Sequence, residues 1–371
     1  MIGGPQGSGI NSVAENLARA CMRGGLHVFA NIEYHSNIKG EHSYYRLRVE
    51  GKEPRSHVDW VDLLVALDRE TMFGDLNKHT PTHQGHRHEV SPGGGIIYDS
   101  SLKLTSDSFG RDDIKLYPVP YLDLLIEALK EFGHEREISR YQVMVNTIAL
   151  GASLGLVDYD FQLAASAIKE GFTGRKAALG DMNIAAARRG YDYTKKTFCT
   201  DAFPIRLRPQ PLGERRMMIR GIQAVAIAKL QAGCGFQTYY PITPATDESE
   251  YLESHQKDYN VIVVQTEDEI AAINMATGAA HAGLRSSTST SGPGFSLMAE
   301  GLGWSGITEA PGPVIILYQR AGPATGLPTR TEQADLRFVL HAAHGEFPRM
   351  VIAPGDVVES YYDTFDAFNY A

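Results

Sequence analysis

Apolar positions recur at helical spacing near the start of the chain, where Val13, Leu17 and Ala20 follow a glycine-rich opening, Gly3-Gly4-Pro5-Gln6-Gly7-Ser8-Gly9. A short β-forming run, His27–Ile32, comes next. Farther on, Tyr121–Phe132 places Leu122, Leu125, Ala128, Leu129 and Phe132 on one helical face. The run Tyr141–Val157 is almost uncharged and contains Gly151 and Gly155, which predicts a buried, tightly packed segment. Phe198–Gly213 breaks the pattern. Its Pro204, Pro209 and Pro211 sit among basic and polar residues and deny a regular ladder, as in a connector.

Beyond the connector the pattern alternates. A helix over Arg215–Ala232 is stopped by Gly233, and a strand over Phe236–Tyr240 follows. An acidic helix near Asp247–Tyr259 leads to a strand over Val261–Val264 and then to an alanine-rich helix over Asp268–Ala282. The run Val314–Tyr318 is as apolar as a buried parallel strand. A helix over Thr331–Ala343, a strand over Met350–Ala353 and a helix over Asp356–Ala371 complete the prediction. Strands alternating with helices imply an α/β fold with a parallel sheet covered on both faces, whose ligands bind at the carboxyl ends of the strands. No strand follows the last helix and almost none precedes the glycine loop, so the chain reads as a fragment or a nicked product.

At about 100–200 residues per domain, 371 residues suggest two or three domains. The texture divides the chain into 1–197, a linker at 198–213, and 214–371. A hydrophobic content of 43% is enough for substantial cores, and a net charge of -9 argues against nucleic acid, whose binding needs a basic face. No apolar run approaches the roughly 18 residues of a membrane span, and the opening residues lack the regions of a signal peptide. A cytoplasmic protein with no membrane association is expected. Cys21, Cys199 and Cys234 are single and widely spaced, as in a reducing compartment, and too few for a four-thiolate iron–sulfur site on this chain.

Four strings carry candidate chemistry. In Tyr240-Pro241-Ile242-Thr243-Pro244, two prolines flank one hydroxyl directly after a strand, so the threonine is presented with its ordering cost already met. In Gln265-Thr266-Glu267-Asp268-Glu269, acids stand at a strand–helix junction, where the helix dipole alone would favour them. Gln319-Arg320 opens a loop that runs through Thr325 and Gly326 to Thr329-Arg330. Thr329 with Glu332 fits a capping box that would set Arg330 in a first helical turn, a natural carboxylate clamp. Thr288-Ser-Thr-Ser291-Gly292-Pro293-Gly294 has the composition of a phosphate-cradling loop leading into a helix at Phe295. Each string also has a plain alternative: a stiffened loop, a helix cap, a surface arginine, a tight turn.

The five-residue string Tyr240–Pro244, with the other three in order, resembles the large subunit of the 2-oxoacid:ferredoxin oxidoreductases, of the two-subunit type in which gamma and alpha portions are fused. The resemblance implies an N-terminal α/β domain of gamma type followed by a parallel-sheet domain that takes the pyrimidine side of thiamine diphosphate. Asn31–Gly40 and Asn146–Gly151 match the texture of the gamma domain, whose association with coenzyme A is a looser expectation. It also implies CoA-dependent oxidative decarboxylation of a 2-oxoacid to acyl-CoA and CO₂, with ferredoxin as electron acceptor. Thr243 and Arg330 would bind the oxoacid, with Arg320 in reserve. Glu267 would hydrogen-bond the aminopyrimidine and promote its imino tautomer, with Asp268 and Glu269 standing behind it. Tyr240, Pro241, Ile242 and Pro244 would support Thr243, while Gly292, Pro293 and Gly294 would line the cofactor's ring side. A beta subunit would share the thiamine diphosphate and supply Mg²⁺ and a 4Fe–4S cluster. No metal is expected on this chain.

Two other assignments stay open. Gly4, Gly7 and Gly9 before a helix are compatible with a nicotinamide enzyme, although no acid closes the following strand at about 20 residues. A non-catalytic assembly subunit is the other. The histidines at 79, 83, 86 and 88 lie in polar surroundings without cysteine and read as solvated loop residues.

Overall fold

The structure is a computed structural model that describes residues 1–34, 41–75, 83–198, 203–214, 216–309, 311–324, 329 and 331–371. Of the positions singled out in the sequence, 35–40, His79, Cys199, Thr325, Gly326 and Arg330 lie outside these described residues. The chain divides into two compact units, Met1–Arg216 and Met217–Ala371.

The first unit is built on a six-stranded sheet in the order β2-β3-β1-β4-β5-β6. The strands are β1 (Ile2–Pro5), β2 (His27–Tyr34), β3 (His42–Glu50), β4 (Val61–Ala66), β5 (Val90–Asp99) and β6 (Lys115–Val119). β3 runs antiparallel to both β1 and β2, and the remaining pairs are parallel. The glycine-rich opening is therefore partly strand: Gly3 and Gly4 lie in β1, and only Gly7 and Gly9, at φ 83° and 92°, make the turn into the helix Ile10–Arg23. β2, reached after that helix, pairs with β3 and not with β1. The adjacent parallel strands of a dinucleotide-binding βαβ unit are not formed there.

Helix Tyr121–Lys130 buries Tyr121, Leu124, Leu125, Ala128 and Leu129. Leu122 and Phe132, expected on the buried face, are 48% and 38% exposed, because the real apolar stripe is centred one position away. Helix Val145–Leu156 is buried along almost its whole length. It crosses helix Ala177–Thr197 so closely that a β-carbon at Gly151 would strike the Ala187 carbonyl, and one at Gly155 would lie 2.6 Å from the Tyr191 carbonyl. Residues 203–213 of the proline-rich stretch have no regular structure but are packed down on the first unit. Phe203 is 1% exposed, Leu207 N–H donates to the Val157 carbonyl at 3.0 Å, and Gln210 N–H donates to that of Gly24 at 2.7 Å.

The histidines read as solvated are a correction. His88 is exposed, but His86 is buried and His83 is largely covered, because their loop folds back onto β3, where His42 is buried as well.

The second unit holds a four-stranded, wholly parallel sheet in the order β10-β9-β7-β8. Its strands are β7 (Phe236–Tyr239), β8 (Ile262–Gln265), β9 (Ser286–Ser291) and β10 (Val314–Tyr318). Helices Gly221–Gln231, Thr246–Ser254, Glu269–His281, Gly292–Ile307 and Val357–Tyr370 accompany it. β9 was not expected. The string read as a loop from Thr288 is a fully buried strand up to Ser291, and the helix begins at Gly292.

β9 lies centrally with hydroxyls on both faces, and both faces are hydrogen-bonded. Ser286 donates to the Ala276 carbonyl at 2.7 Å. On the other face, Ser289 donates to Glu248 Oε2 at 2.5 Å, and Ser287 donates to Gln237. Lys229 and Glu248, both 0% exposed, form an ion pair at 2.7 Å there. Lys229 Nζ also donates to Gln237 and Ser289 at 2.9 Å each, and Tyr318 donates to Glu248 at 3.2 Å. This network replaces the apolar packing that a central strand normally carries, so no hydrophobic run marks it.

Three further elements differ from expectation. The first helix starts at Gly221, where Arg220 N–H donates to Gln223 at 3.1 Å. Residues 331–335 are not helical, so the box proposed between Thr329 and Glu332 caps nothing; the helix there is the short Leu336–His341. Met350–Ala353 does not pair as a strand.

Candidate functional site

All four strands of the second sheet are parallel, so their carboxyl ends meet at one edge. The chain goes from β7 to β8 on one side and then returns to β9 on the other, which makes the β7–β9 boundary the topological switch point. Four loops converge at this edge.

The loop after β7 carries Tyr240–Pro244, with a cis Thr243–Pro244 bond. It is closed by Thr246, whose hydroxyl accepts from Ile242 N–H at 2.9 Å and whose own N–H donates to the Ile242 carbonyl at 3.1 Å. Tyr240 and Pro241 are exposed, while Ile242, Thr243 and Pro244 are half-buried. From the end of β10, Arg320 Nη1 donates to the Thr243 carbonyl at 3.0 Å. Arg320 is 7% exposed, and burial lowers its pKa against the opposing pull of Glu269 and Asp335.

The loop after β8 separates the three acids. Thr266 ties the loop down by donating to the Tyr239 carbonyl through N–H at 2.8 Å and through Oγ1 at 3.1 Å. Glu267 is exposed to solvent. Asp268 is the helix N-cap, accepting from Ala271 N–H at 2.7 Å. Glu269, the first helical residue, is 5% exposed, and burial raises its pKa, with Asp268 adding to the rise and Arg320 opposing it. The geometry thus reverses the ranking of the sequence: Glu269, not Glu267, turns into the site. The strand ends at Gln265 and the helix starts at Glu269, each one residue later than expected, with Asp268 as the cap.

Gly292 and Gly294 open the helix after β9. A β-carbon on Gly294 would collide with the Thr290 hydroxyl and lie 2.7 Å from Glu269 Oε1, and one on Gly292 would strike the Asp335 carboxylate. Pro293 occupies the first turn, where its missing N–H costs nothing. Asp335 was not singled out from the sequence. Burial and Glu332 raise its pKa, Arg320 opposes them, and its Oδ2 has no hydrogen-bond partner among the described residues. Thr243, Arg320, Glu269, Gly292 and Gly294 are brought together; Glu267 is not, and Arg330 lies outside the described residues. Glu269 could have been found by recognising Asp268 as the preferred cap, which makes the next residue the one aimed at the loops.

A parallel α/β sheet with a shielded carboxyl and a buried arginine at its switch point defines a ligand-binding domain. Residues 227–371 match the family described as pyruvate flavodoxin/ferredoxin oxidoreductase, thiamine diphosphate-binding, and residues 1–193 match pyruvate ferredoxin/flavodoxin oxidoreductase. The chain belongs to the pyruvate ferredoxin/flavodoxin oxidoreductase family and carries its thiamine diphosphate-binding domain. It is 38% identical over its whole length to the 2-oxoacid:ferredoxin oxidoreductase subunit alpha of Saccharolobus solfataricus, and spans 62% of that relative. The 2-oxoglutarate synthase subunit KorA of Archaeoglobus fulgidus is 42% identical over 42% of this chain and 44% of its own. A solved 2-oxoglutarate:ferredoxin oxidoreductase from Magnetococcus marinus, with 2-oxoglutarate, coenzyme A and succinyl-CoA bound, matches with a TM-score of 0.84. That match is 30% identical and covers 99% of this chain and 60% of the other. Among the described residues, no helix is long and apolar enough to cross a membrane.

Proposed function

We propose that this chain is the gamma and alpha part of a CoA-dependent 2-oxoacid:ferredoxin oxidoreductase, converting a 2-oxoacid to acyl-CoA and CO₂ and passing the electrons to ferredoxin. Residues 1–197 would be the gamma-type portion and 214–371 the alpha-type portion. The observation that carries this reading is the convergence of Glu269, Arg320 and Thr243 at one sheet edge.

The residues fit the pyrimidine side of thiamine diphosphate. A ring nitrogen that shares a proton needs a carboxyl kept from ionising freely, and the buried Glu269 has a raised pKa beside Gly294, where no side chain intervenes. When bound, the cofactor supplies the electron sink that allows a 2-oxoacid to lose its carboxylate. Glu269 would hold a proton against the ring nitrogen. Arg320 fixes the backbone of Thr243, whose hydroxyl would orient the oxoacid, while Arg330 would clamp its carboxylate.

A beta subunit would hold the pyrophosphate, Mg²⁺ and a 4Fe–4S cluster, and would dock ferredoxin. Two features support a partner chain. Only three cysteines are present, and Cys21 and Cys234 are buried, with burial pushing Cys21 up to about 12. The helix Gly292–Ile307 exposes Leu297, Trp304 and Ile307, an apolar face of the kind that marks protein contacts.

The test is co-expression with the partner chain and assay of dye reduction across several 2-oxoacids. Reduction that needs both oxoacid and CoA, and is lost in Glu269→Gln, is the expected result. A purified pair that binds no thiamine diphosphate would overturn the proposal.

A further inference from the structure

We propose a divalent transition-metal site of the zinc class in the first unit, formed by His42, His83 and His86. One ring nitrogen from each of these residues lies within 4.8 Å of the other two. His42 and His86 are 1% and 4% exposed, and their Nε2 atoms stand 2.9 Å apart. The ligand nitrogens of a tetrahedral zinc site, with bonds of about 2.0–2.1 Å, stand roughly 3.3 Å from one another. Small side-chain rotations would bring the three rings to that spacing.

The surroundings of His86 are those of a ligand already oriented. Nδ1 of His86 lies 2.7 Å from Glu89 Oε1, which can only accept, so in the neutral ring the lone pair is on Nε2, the atom that faces His42. A carboxylate on the far nitrogen of a metal-binding histidine fixes its tautomer and raises its basicity. Glu89 is itself held by Arg46 at 2.6 Å. Nε2 of His83 lies 3.1 Å from Glu70 Oε1 and its Nδ1 accepts from Gly85 N–H at 3.1 Å, so ligation exchanges one of these contacts for the ion; its ring stacks on that of His42 with centroids 4.5 Å apart. The backbone is pinned as well: His86 N–H donates to the Thr71 carbonyl at 2.8 Å. A bound ion would tie the start of β3 to the loop that precedes β5. The competing account is a neutral imidazole chain held by hydrogen bonds alone.

The experiment uses the full chain, stripped with a chelator and titrated with Co²⁺, then with Zn²⁺. One equivalent of Co²⁺ should develop the visible absorption of a nitrogen-ligated, low-coordinate ion and lose it to Zn²⁺. His42→Gln and His86→Gln should each abolish the band, and His88→Gln should leave it intact. Glu89→Gln, which keeps the side-chain shape and removes only the orienting charge, should retain the band with affinity weaker by roughly 10–100-fold. No band in the unmodified chain, or a band that survives His86→Gln, overturns the site. If the histidine variants do not fold, an unchanged affinity in Glu89→Gln overturns it as well.

Discussion

Arg320 donates from Nη1 to the backbone carbonyl of Thr243 at 3.0 Å, joining the loop after β10 to the loop after β7. The bond fixes the peptide next to the hydroxyl proposed to meet substrate. Hydrogen bonds from charged groups are worth about 1.5–3 kcal/mol, or roughly 10–100-fold in an equilibrium constant. Arg320→Ala in the assembled enzyme is therefore expected to raise KM for the oxoacid by that factor, with a smaller effect on kcat. Arg320→Lys should recover part of the loss, and steady-state kinetics on both variants checks it.

The three acids after β8 make distinct predictions. Glu269→Gln should lower kcat by roughly 100-fold or more, as expected for a lost proton-handling group. Glu267→Gln should stay within about twofold of the parent, since a solvated side chain contributes little. Equal losses in both would remove Glu269 from the proposed role.

Stability should follow the protonation of Glu269. Burial raises its folded pKa above the unfolded value, so the folded state binds the proton more tightly. The contribution is complete below the ordinary carboxylate value and is lost as pH rises through the raised one. Denaturant midpoints should fall across that interval, and the fall should be smaller in Glu269→Gln. Asp335 shifts in the same direction and leaves a residual slope in that variant.

Lys229→Met leaves the Glu248 carboxyl without its cation at 0% exposure, and breaking such a pair typically costs about 3–5 kcal/mol. The double change Lys229→Met with Glu248→Leu should cost less than Lys229→Met alone. Urea denaturation of the three proteins measures the difference.

In the first unit, a β-carbon at Gly151 meets backbone, not a movable side chain. Gly151→Ala should push the helices Val145–Leu156 and Ala177–Thr197 apart and destabilise by at least about 1–3 kcal/mol.

The burial of Val145–Leu156 was legible because an uncharged run with spaced glycines has few other uses, but the helix Ala177–Thr197 that packs on it, with its arginines and lysines, was not read from the sequence. The apolar strand β10 and the helices Gly221–Gln231 and Glu269–His281 were legible for a similar reason: periodicity reports burial by apolar residues. β9 was not, because its burial is balanced by hydrogen bonds to Gln237 and Glu248 that are contributed from elsewhere in the chain. In the site, the strings marked Thr243, Arg320 and the three acids 267–269, but not which acid is buried, because that depends on Asp268 capping the helix. Asp335 and His42 carry no local signal at all. Each gains its surroundings only from segments distant in sequence.

The polar centre of the second sheet has a consequence for how this protein can change over time. A strand of valines accepts exchanges among aliphatic residues one at a time. Ser287 and Ser289 instead belong to a set with Gln237, Lys229, Glu248 and Tyr318, in which each donor answers a particular acceptor. Substitutions there must arrive in complementary pairs, so these six positions should vary together among relatives or not vary at all.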